Sequence, residues 1–274
     1  MSMNSVLDDV KFLVSSKHRI GVMQALAEQP GDRNDLRTAT GASSPTMGRI
    51  LSDFEDRHWI ERESRTYRLT GMGDFVANQL DGFLEAMAAE RDLRDVSPWL
   101  PYELDGFSVN FLTDAVISYP GPGYPYKPLE RHVQLMEETE TIRGFGMVLL
   151  KASVVEAFFD SVFEGLEVEM IYPPDVFEAM LSWDPETVAE AVNLDHHTVY
   201  LHDNLPNSEW CGICVSDDRL SICCYDPETG MLQALVDTAD QQAYAWGESI
   251  VEQYRAEAHR LDEAGDLLTV PVLQ

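Results

Sequence analysis

The 274-residue sequence predicts a two-domain α+β protein, in which a small helical domain closed by a β-hairpin precedes a larger mixed-sheet α/β domain. The first seventy residues combine helical apolar spacing with turn signals, and from residue 115 onward β-type and helical runs alternate. Charged residues are also distributed unequally between the two parts of the sequence. Residues 1–70 hold ten Lys/Arg and ten Asp/Glu, whereas residues 71–274 hold nine and thirty-eight and so carry the whole formal net charge of −29.

Composition narrows the class of protein further. The chain is 45% hydrophobic and 24% charged, which is ordinary for a globular protein, and it has no apolar run long enough to span a membrane. The amino-terminal stretch MSMNSVLDDVKFLV lacks the order of a secretory signal. We therefore expect a cytoplasmic protein without a membrane partner. Only four of the nineteen basic residues are lysines, which favours a halophilic protein over an acidic mesophilic one.

The first helices are set by apolar spacing and by caps. In SKHRIGVMQALAEQPG, Ile20, Met23, Leu26 and Ala27 form one helical stripe, which ends at Pro30-Gly31. Asp32 is a suitable cap for a short helix that stops at Gly41. Ser43 or Ser44 caps the next helix, whose first turn contains Pro45. This third helix turns four apolar side chains inward, namely Met47, Ile50, Leu51 and Phe54.

The stretch WIERESRTYRLT predicts two short strands around a turn near Ser64-Arg65. Helix, short helix, glycine turn, capped helix and hairpin, in this order, are typical of a winged helix-turn-helix. The alternative is a small helical domain with solvated arginines. Thr46 and Arg49 share a face, as DNA-base contact in the major groove requires, and the hairpin adds further arginines for phosphate or minor-groove contact. The predicted DNA-contacting residues are Ser43, Ser44, Thr46, Met47, Arg49, Arg62, Arg65 and Arg68.

The segment TGASSPTMGRILSDFEDRHWIERESRTYRLTGMG resembles the ArsR/MarR-type winged helix of haloarchaeal regulators. The resemblance implies sequence-specific binding of double-stranded DNA. His58 stands where that family usually has glycine, so we expect a tighter or strained turn before the hairpin. The metal-binding cysteine motif of ArsR proteins is absent from these helices, and metal sensing is not implied.

After the hairpin, an amphipathic stretch predicts a connector and dimer-contact helix with apolar positions at Phe75, Leu80, Phe83, Leu84, Met87 and Leu93. A homodimer is expected because paired half-sites double a small DNA interface. SPWLPYELDG then breaks the pattern, and alternating helices and strands follow. The predicted organisation is a winged helix over 1–75, a connector over 76–97, an effector-sensing α/β domain over 98–265 and a tail over 266–274.

Three stretches of the second half, PYKPLERHVQLMEET, YDPETGMLQALVDT and WGESIVEQYRAEA, resemble archaeal regulators of the methanogenesis (filament-formation) regulator type. The resemblance implies a phospholipase-D-like fold without that enzyme's chemistry. The sequence agrees, since it contains no His-x-Lys motif, no nucleophile elbow and no phosphate loop. We therefore expect a regulator that is not an enzyme and needs no cofactor.

Four cysteines lie in WCGICVSDDRLSICCYD, a predicted hairpin that turns at Asp217-Asp218. Cys211 then lies opposite Cys224, and two thiols point to each face, which disfavours a tetrahedral zinc site. Buried apolar thiols are the main interpretation, and a disulfide or redox switch remains an alternative. His196 and His202 share a strand face but lie about 20 Å apart at ~3.3 Å per residue, so we interpret them, with His197, as structural.

Basic residues are scarce in the second half, and Lys127, Arg131, Arg143 and Lys151 fall within 25 positions, beside Tyr124 and Tyr126 on a proline-rich loop. Cations beside aromatic rings suit a small anionic effector, whereas the alternative is ion pairing with the abundant carboxylates. Overall, the sequence predicts a transcriptional regulator. The alternatives are a protein–protein adaptor with a degenerate winged helix, a thiol-based redox sensor, or a hydrolase.

Overall fold

The computed structural model describes residues 3–146, 152–205, 211–226 and 229–261. The chain forms two compact units, residues 1–88 and 89–274. Within the described ranges the fold is mixed α+β: the first unit is mainly helical and the second contains a large mixed sheet. No helix in these ranges is long and apolar enough to cross a membrane.

The first unit contains four helices and the start of a fifth in its described part. They are α1 Met3–Val14, α2 Lys17–Glu28, α3 Arg33–Thr40, α4 Ser44–Asp56 and α5 Gly71–Leu93, which continues into the second unit. Its antiparallel sheet has the order β1-β3-β2, with β1 Gly31–Asp32, β2 Ile60–Glu63 and β3 Thr66–Leu69.

Local chemistry sets the helix boundaries that were predicted. The Asp32 carboxylate accepts hydrogen bonds from the backbone N–H groups of Asn34 and Asp35, and the Asp35 carboxylate accepts one from the backbone N–H of Asp32, which completes a capping box at the start of α3. Gly41 ends α3 in the left-handed region, with φ 68°. Ser43 caps α4 by accepting from the backbone N–H of Thr46. The helices after residue 16 and the hairpin therefore lie where the sequence predicts them.

Two features of the first unit, helix α1 and strand β1, were not predicted. Helix α1 docks through Phe12, whose ring meets those of Phe54 and Trp59 at centroid distances of 6.2 and 6.1 Å. Strand β1 is only two residues long and pairs with β3. The amphipathic stretch after the hairpin forms a helix, as predicted; it begins at Gly71, where the Thr70 hydroxyl accepts from the backbone N–H of Gly73, and it ends at Leu93.

The second unit is built on an eight-stranded sheet in its described part, with the order β11-β7-β6-β5-β8-β9-β10-β4. Strands β5, β6 and β7 are parallel and the other pairs are antiparallel. The strands are β4 Val116–Ser118, β5 Thr141–Phe145, β6 Glu167–Tyr172, β7 His197–Leu201, β8 Cys211–Ser216, β9 Arg219–Tyr225, β10 Leu232–Thr238 and β11 His259–Arg260. The helices are α6 Lys127–Glu137, α7 Ala152–Glu164, α8 Pro174–Trp183, α9 Pro185–Val192 and α10 Gln241–Glu257.

Both faces of this sheet are covered. One face packs against α10 and against Ala89 and Leu93 at the end of α5, whereas the other packs against α6, α7, α8 and α9. Alternate residues of β9 show this division, since Cys224 belongs to the first core and Cys223 contacts the α6 side. The alternating pattern of the sequence predicted this mixed sheet.

Two predicted helices of the second unit have different bounds. The stretch from Pro173 to Asn193 forms two helices rather than one, because Asp184 caps a new helix whose first residue is Pro185. The last helix ends at Glu257 instead of running to Leu261, and His259 and Arg260 pair with β7. The predicted tail over 266–274 lies outside the described residues.

Candidate nucleic-acid interface

Helix α4 is fixed by one apolar face. Met47, Ile50, Leu51 and Phe54 are each at most 2% exposed and pack into the core of the first unit. The inclusion of Met47 among the DNA-contacting residues is therefore wrong, because its side chain is fully buried and has no surface to offer. The buried stripe leaves the opposite face of α4 at the protein surface.

The outward face of α4 carries small hydroxyl side chains and one arginine. Ser44, Arg49 and Ser52 are exposed, and Thr46 is half-buried. The hydroxyls of Ser43 and Thr46 are hydrogen-bonded to each other at 2.9 Å. Within the described part of the chain Arg49 has no ion-pair partner, so its guanidinium is available to a ligand.

The hairpin presents three exposed arginines in different local settings. Arg62 donates from Nε to the Ser64 carbonyl at 2.8 Å, and its guanidinium lies 5.6 Å from the Tyr67 ring centroid. Arg68 forms a 2.9 Å ion pair with Glu61. Arg65 occupies the two-residue turn itself, and no carboxylate of the described residues pairs with it. Arg65 in the turn thus has no ion-pair partner among the described residues, whereas Arg62 and Arg68 on the flanking strands both contact protein groups.

Arg33 was missed by the sequence reasoning. It opens α3, is exposed, and donates from Nη2 to the Ser44 carbonyl at 2.6 Å. A methyl group on Gly48 would lie 2.7 Å from the same nitrogen. Gly48 therefore leaves the space in which Arg33 lies across α4. The sequence signal that could have indicated this close approach is the glycine in the middle of a capped helix, where glycine is otherwise unfavourable.

His58 adopts the conformation expected where a glycine is usual. Its φ is 55°, in the left-handed region. The His58 N–H donates to the Glu55 carbonyl and the Trp59 N–H to the Phe54 carbonyl, the two bonds of a Schellman motif that ends α4. The expected strain at the turn before the hairpin is therefore present in the backbone.

The remaining ion pairs of the first unit involve structural arginines. Arg19 and Arg57 stack over opposite sides of the Phe12 ring, at 3.8 and 3.7 Å, and pair with Asp53 and Asp9 respectively. These two cations hold α1 in place and are partly buried. The outward cations of the interface are thus a distinct set, formed by Arg33, Arg49, Arg62, Arg65 and Arg68.

Exposed apolar side chains form a stripe on each of two helices of the first unit. On α1 they are Met3, Val6, Leu7, Val10 and Val14, and on α5 they are Met72, Phe75, Phe83 and Met87. Both sets recur at intervals of three, four or their sums, which places each on a single helix face. Their exposed fractions run from 42 to 71%. Such surfaces are characteristic of protein–protein contacts.

The predicted anionic-effector residues do not converge. Arg131 on α6 donates from Nε and Nη2 to the two carboxylate oxygens of Asp237, at 3.1 and 2.8 Å, whereas Arg143 pairs with Glu248 of α10 at 2.8 Å. Because α6 and α10 cover opposite faces of the sheet, these two arginines cannot line one pocket. The prediction of a shared site is corrected accordingly. Tyr124, Tyr126 and Lys127 are exposed, and Lys151 lies outside the described residues.

The cysteine hairpin has the predicted register. Cys211 lies opposite Cys224 across β8 and β9, and none of the four cysteines forms a disulfide. Burial raises the pKa of Cys214 to about 12, and it also raises those of Cys223 and Cys224. Thiols in this state are poor nucleophiles at neutral pH, which favours the packing interpretation over the redox one.

The three neighbouring histidines contact protein groups. His196 hydrogen-bonds to the Val162 carbonyl through Nε2 at 2.9 Å, and His202 accepts from the backbone N–H of Asn204 at 3.0 Å. His197 is buried beside the rings of Phe158 and Phe159. Within the described ranges no group of three or more His, Cys, Asp or Glu side chains is placed to hold a metal ion.

Two segments of the chain match family models. Residues 7–92 match the HVO_A0261 N-terminal domain, and residues 125–257 match the middle domain of the methanogenesis regulatory protein FilR1. The second match confirms the resemblance found for the carboxy-terminal domain. The first identifies a domain family for the amino-terminal unit but does not specify the ArsR/MarR type. No curated protein is similar enough to match the chain.

Several solved structures are distantly similar to the chain. TrmBL2, described as an archaeal chromatin protein with a novel mode of DNA binding, is 10% identical, covers 89% of this chain and 93% of its own, and has a TM-score of 0.42. Nuc from Salmonella typhimurium, a phospholipase D family member, is 11% identical over 54% of this chain and 97% of its own, with a TM-score of 0.41. NucT from Helicobacter pylori is 10% identical over 54% and 98%, with a TM-score of 0.42.

Proposed function

We propose that this protein is a sequence-specific DNA-binding transcription regulator whose first unit is a winged helix-turn-helix of the ArsR/MarR type. Helix α4 is the recognition helix and the β2–β3 hairpin is the wing. The matches to the HVO_A0261 N-terminal domain and to the FilR1 middle domain support a regulator. The chemistry of the first unit supports DNA as its ligand.

The observation that carries this proposal is the division of α4 into two faces. Four buried apolar residues fix the helix, and its free face presents Ser44, Arg49 and Ser52 with no carboxylate bound to the arginine in the described structure. An arginine that forks onto guanine and small hydroxyl side chains are the groups that contact base edges in the major groove. Arg65 in the wing suits phosphate or minor-groove contact.

The charge balance fits DNA binding better than the net charge of −29 suggests. The first seventy residues are neutral overall, and their outward cations are concentrated around α4 and the hairpin. In a salt-filled cytoplasm the Debye length is about 3 Å at 1 M, so distant carboxylates repel DNA very little. High salt also removes most of the gain from counterion release. Affinity then depends on short-range contacts by Arg33, Arg49 and the wing.

A homodimer is part of the proposal. The exposed stripes of α1 and α5 form the apolar surface of the first unit that would lie between two copies. Two recognition helices placed by one dimer would bind two half-sites of an operator. An effector bound by the second unit would change DNA affinity by shifting the relative positions of these helices.

The second unit is proposed to be an effector-sensing domain without catalytic activity. Its sequence has no His-x-Lys motif of the kind that phospholipase-D-like hydrolysis requires. Five of its arginines, Arg94, Arg131, Arg143, Arg219 and Arg255, are engaged by carboxylates, which leaves them little role in substrate chemistry. A cytoplasmic location follows from the proposed role.

Genome-wide DNA occupancy of the chain tests the proposal directly. The wild type should be enriched at a limited set of promoters that share one sequence, and Arg49→Ala should lose this enrichment at equal protein abundance. Arg91→Ala is a matched control, because Arg91 is an exposed helical arginine of α5, far along the chain from the interface. Uniform or absent occupancy by the wild type would instead support a protein–protein adaptor.

A further inference from the structure

The second unit contains a cavity between its sheet and the helices α6, α7 and α8. It holds about 100 Å³ of free space. The walls are largely apolar and include Phe145, Phe158, Met170 and Val176. An apolar cavity that stays empty costs stability, because its lining loses contacts on one side. A cavity of this kind with a few polar groups is typical of a small-molecule site.

The polar groups on the wall are neutral. Burial lowers the pKa of His132 to about 4, so its imidazole is uncharged at neutral pH. Burial likewise raises the pKa of Tyr172 and that of Cys214, which keeps the phenol and the thiol protonated. Ser221 adds a hydroxyl. No Lys, Arg, Asp or Glu occurs among the described residues that line the cavity.

This wall contrasts with the rest of a domain that carries many carboxylates. An anionic or cationic ligand would lose its hydration on entry and would find no opposite charge in the described lining. A neutral ligand loses little, and it gains apolar contact together with hydrogen bonds from the imidazole, phenol and hydroxyl groups. The cavity therefore selects against the anionic effector that the sequence suggested.

We propose that this cavity binds a neutral, mostly apolar small molecule of single-ring size that carries one hydrogen-bonding group. The free space sets one ring as the upper limit of size, since an engineered apolar cavity of about 150 Å³ accepts benzene. That the molecule acts as the effector rests on the proposed function, whereas its binding does not. Helix α6 contributes His132 and Leu135 to the wall and holds Asp237 through Arg131, so a bound ligand touches an element fixed to β10.

Methionine methyl NMR of the full chain provides the test. Met136, Met170 and Met180 line the cavity, whereas Met23 and Met47 are buried in the first unit and serve as internal controls. The chain, labelled with ¹³C at its methionine methyl groups, would be titrated separately with toluene, phenol and benzoate. We expect saturable shifts of the three cavity methyls with phenol and toluene, none at the two controls, and at least tenfold weaker binding of benzoate.

Two variants locate the site. Cys214→Phe fills part of the cavity and should abolish the shifts, whereas Cys214→Ser keeps its volume and should retain them. If Cys214→Phe does not fold, Val155→Phe from α7 replaces it. Absence of shifts with all three probes, or benzoate binding as tight as phenol, would overturn the proposal. Because no DNA is present, this outcome leaves the DNA-binding proposal standing, and loss of operator binding in a separate assay would leave the cavity site standing.

Discussion

The two units of this protein use arginine in opposite ways. In the second unit Arg94, Arg131, Arg143, Arg219 and Arg255 each form an ion pair with a carboxylate. In the first unit Arg33, Arg49, Arg62 and Arg65 form none within the described structure, and all four are exposed. The second unit therefore uses five of its seven arginines in ion pairs within the fold, whereas four of the eight arginines of the first unit remain available to a ligand.

This difference shows why net charge alone misleads. Most of the −29 arises in the second unit, where 35 Asp/Glu outnumber nine Lys/Arg and leave none of the ion-paired arginines for nucleic acid. A polyanion partner depends on a local set of unpaired cations, and those lie around α4 and the hairpin.

Asp237→Asn should destabilise the second unit most. Asp237 is fully buried and binds both Arg131 and Arg219. Removing its charge leaves two partly buried guanidinium groups without a counter-ion, which typically costs about 3–5 kcal/mol. Urea unfolding followed by circular dichroism measures the loss. Glu252→Gln, which breaks the exposed pair with Arg255, is the control and should change stability little. Equal effects of the two substitutions would contradict an internal role for the Asp237 pairs.

Gly73→Ala should destabilise the first unit by about 1–3 kcal/mol through overpacking. A Cβ at Gly73 would lie 1.8 Å from the carbonyl oxygen of Trp59, so the start of α5 and the root of the hairpin would have to separate. Gly82→Ala on the same helix meets no atom within 4 Å and should instead be stabilising, because alanine favours the helix. Thermal unfolding of both variants distinguishes backbone crowding from helix propensity. A stabilised Gly73→Ala variant would show that this contact is absent.

Gly48→Ala should have opposite effects on the stability of the first unit and on its affinity for DNA. Helix propensity favours alanine by roughly 0.8–1.0 kcal/mol in a helix interior. The new methyl group would displace the Arg33 guanidinium from α4, since its Nη2 lies 2.7 Å from the Cβ position. We expect a higher Tm and a DNA affinity that falls severalfold, measured by fluorescence anisotropy. Unchanged affinity would remove Arg33 from the interface.

His58→Gly should have the smallest effect. Glycine adopts φ 55° without the steric cost of a side chain, but it also gains freedom in the unfolded state. The two effects partly cancel, and a net stabilisation below about 1 kcal/mol is expected. Ser64→Gly at the hairpin turn, with φ 59°, should behave alike. Marked destabilisation by His58→Gly in thermal unfolding would show that the histidine side chain itself supports the turn.

Much of the first unit followed from its sequence because caps and turns are local. Asp32, Gly41, Ser43 and the two-residue hairpin turn act within a few positions, so their residue types predict their structure. Helix α1 was missed because it is held by long-range contacts, in which Phe12 lies between Arg19 and Arg57. The position of Arg33 across α4 was missed for the same reason.

For the second unit, the sequence predicted the strands of the sheet but not the cavity. Period-two runs predicted the strands and the cysteine register, because both depend on alternation along one strand. The cavity depends on side chains from four strands and three helices, and no local pattern brings them together. Two of the few arginines of this unit were predicted to bind a ligand. In a domain rich in carboxylates they form ion pairs instead.

The most direct test of the central claim is the affinity of the full chain for its best-occupied promoter fragment, measured at several KCl concentrations. Arg49→Ala should lower affinity about 10- to 100-fold at every concentration, as expected when one base-contacting arginine worth ~1–3 kcal/mol is lost. Arg91→Ala should leave affinity unchanged, and neither variant should unfold more easily than the wild type. Wild-type affinity in Arg49→Ala at every salt concentration would contradict the assignment of α4 as the recognition helix.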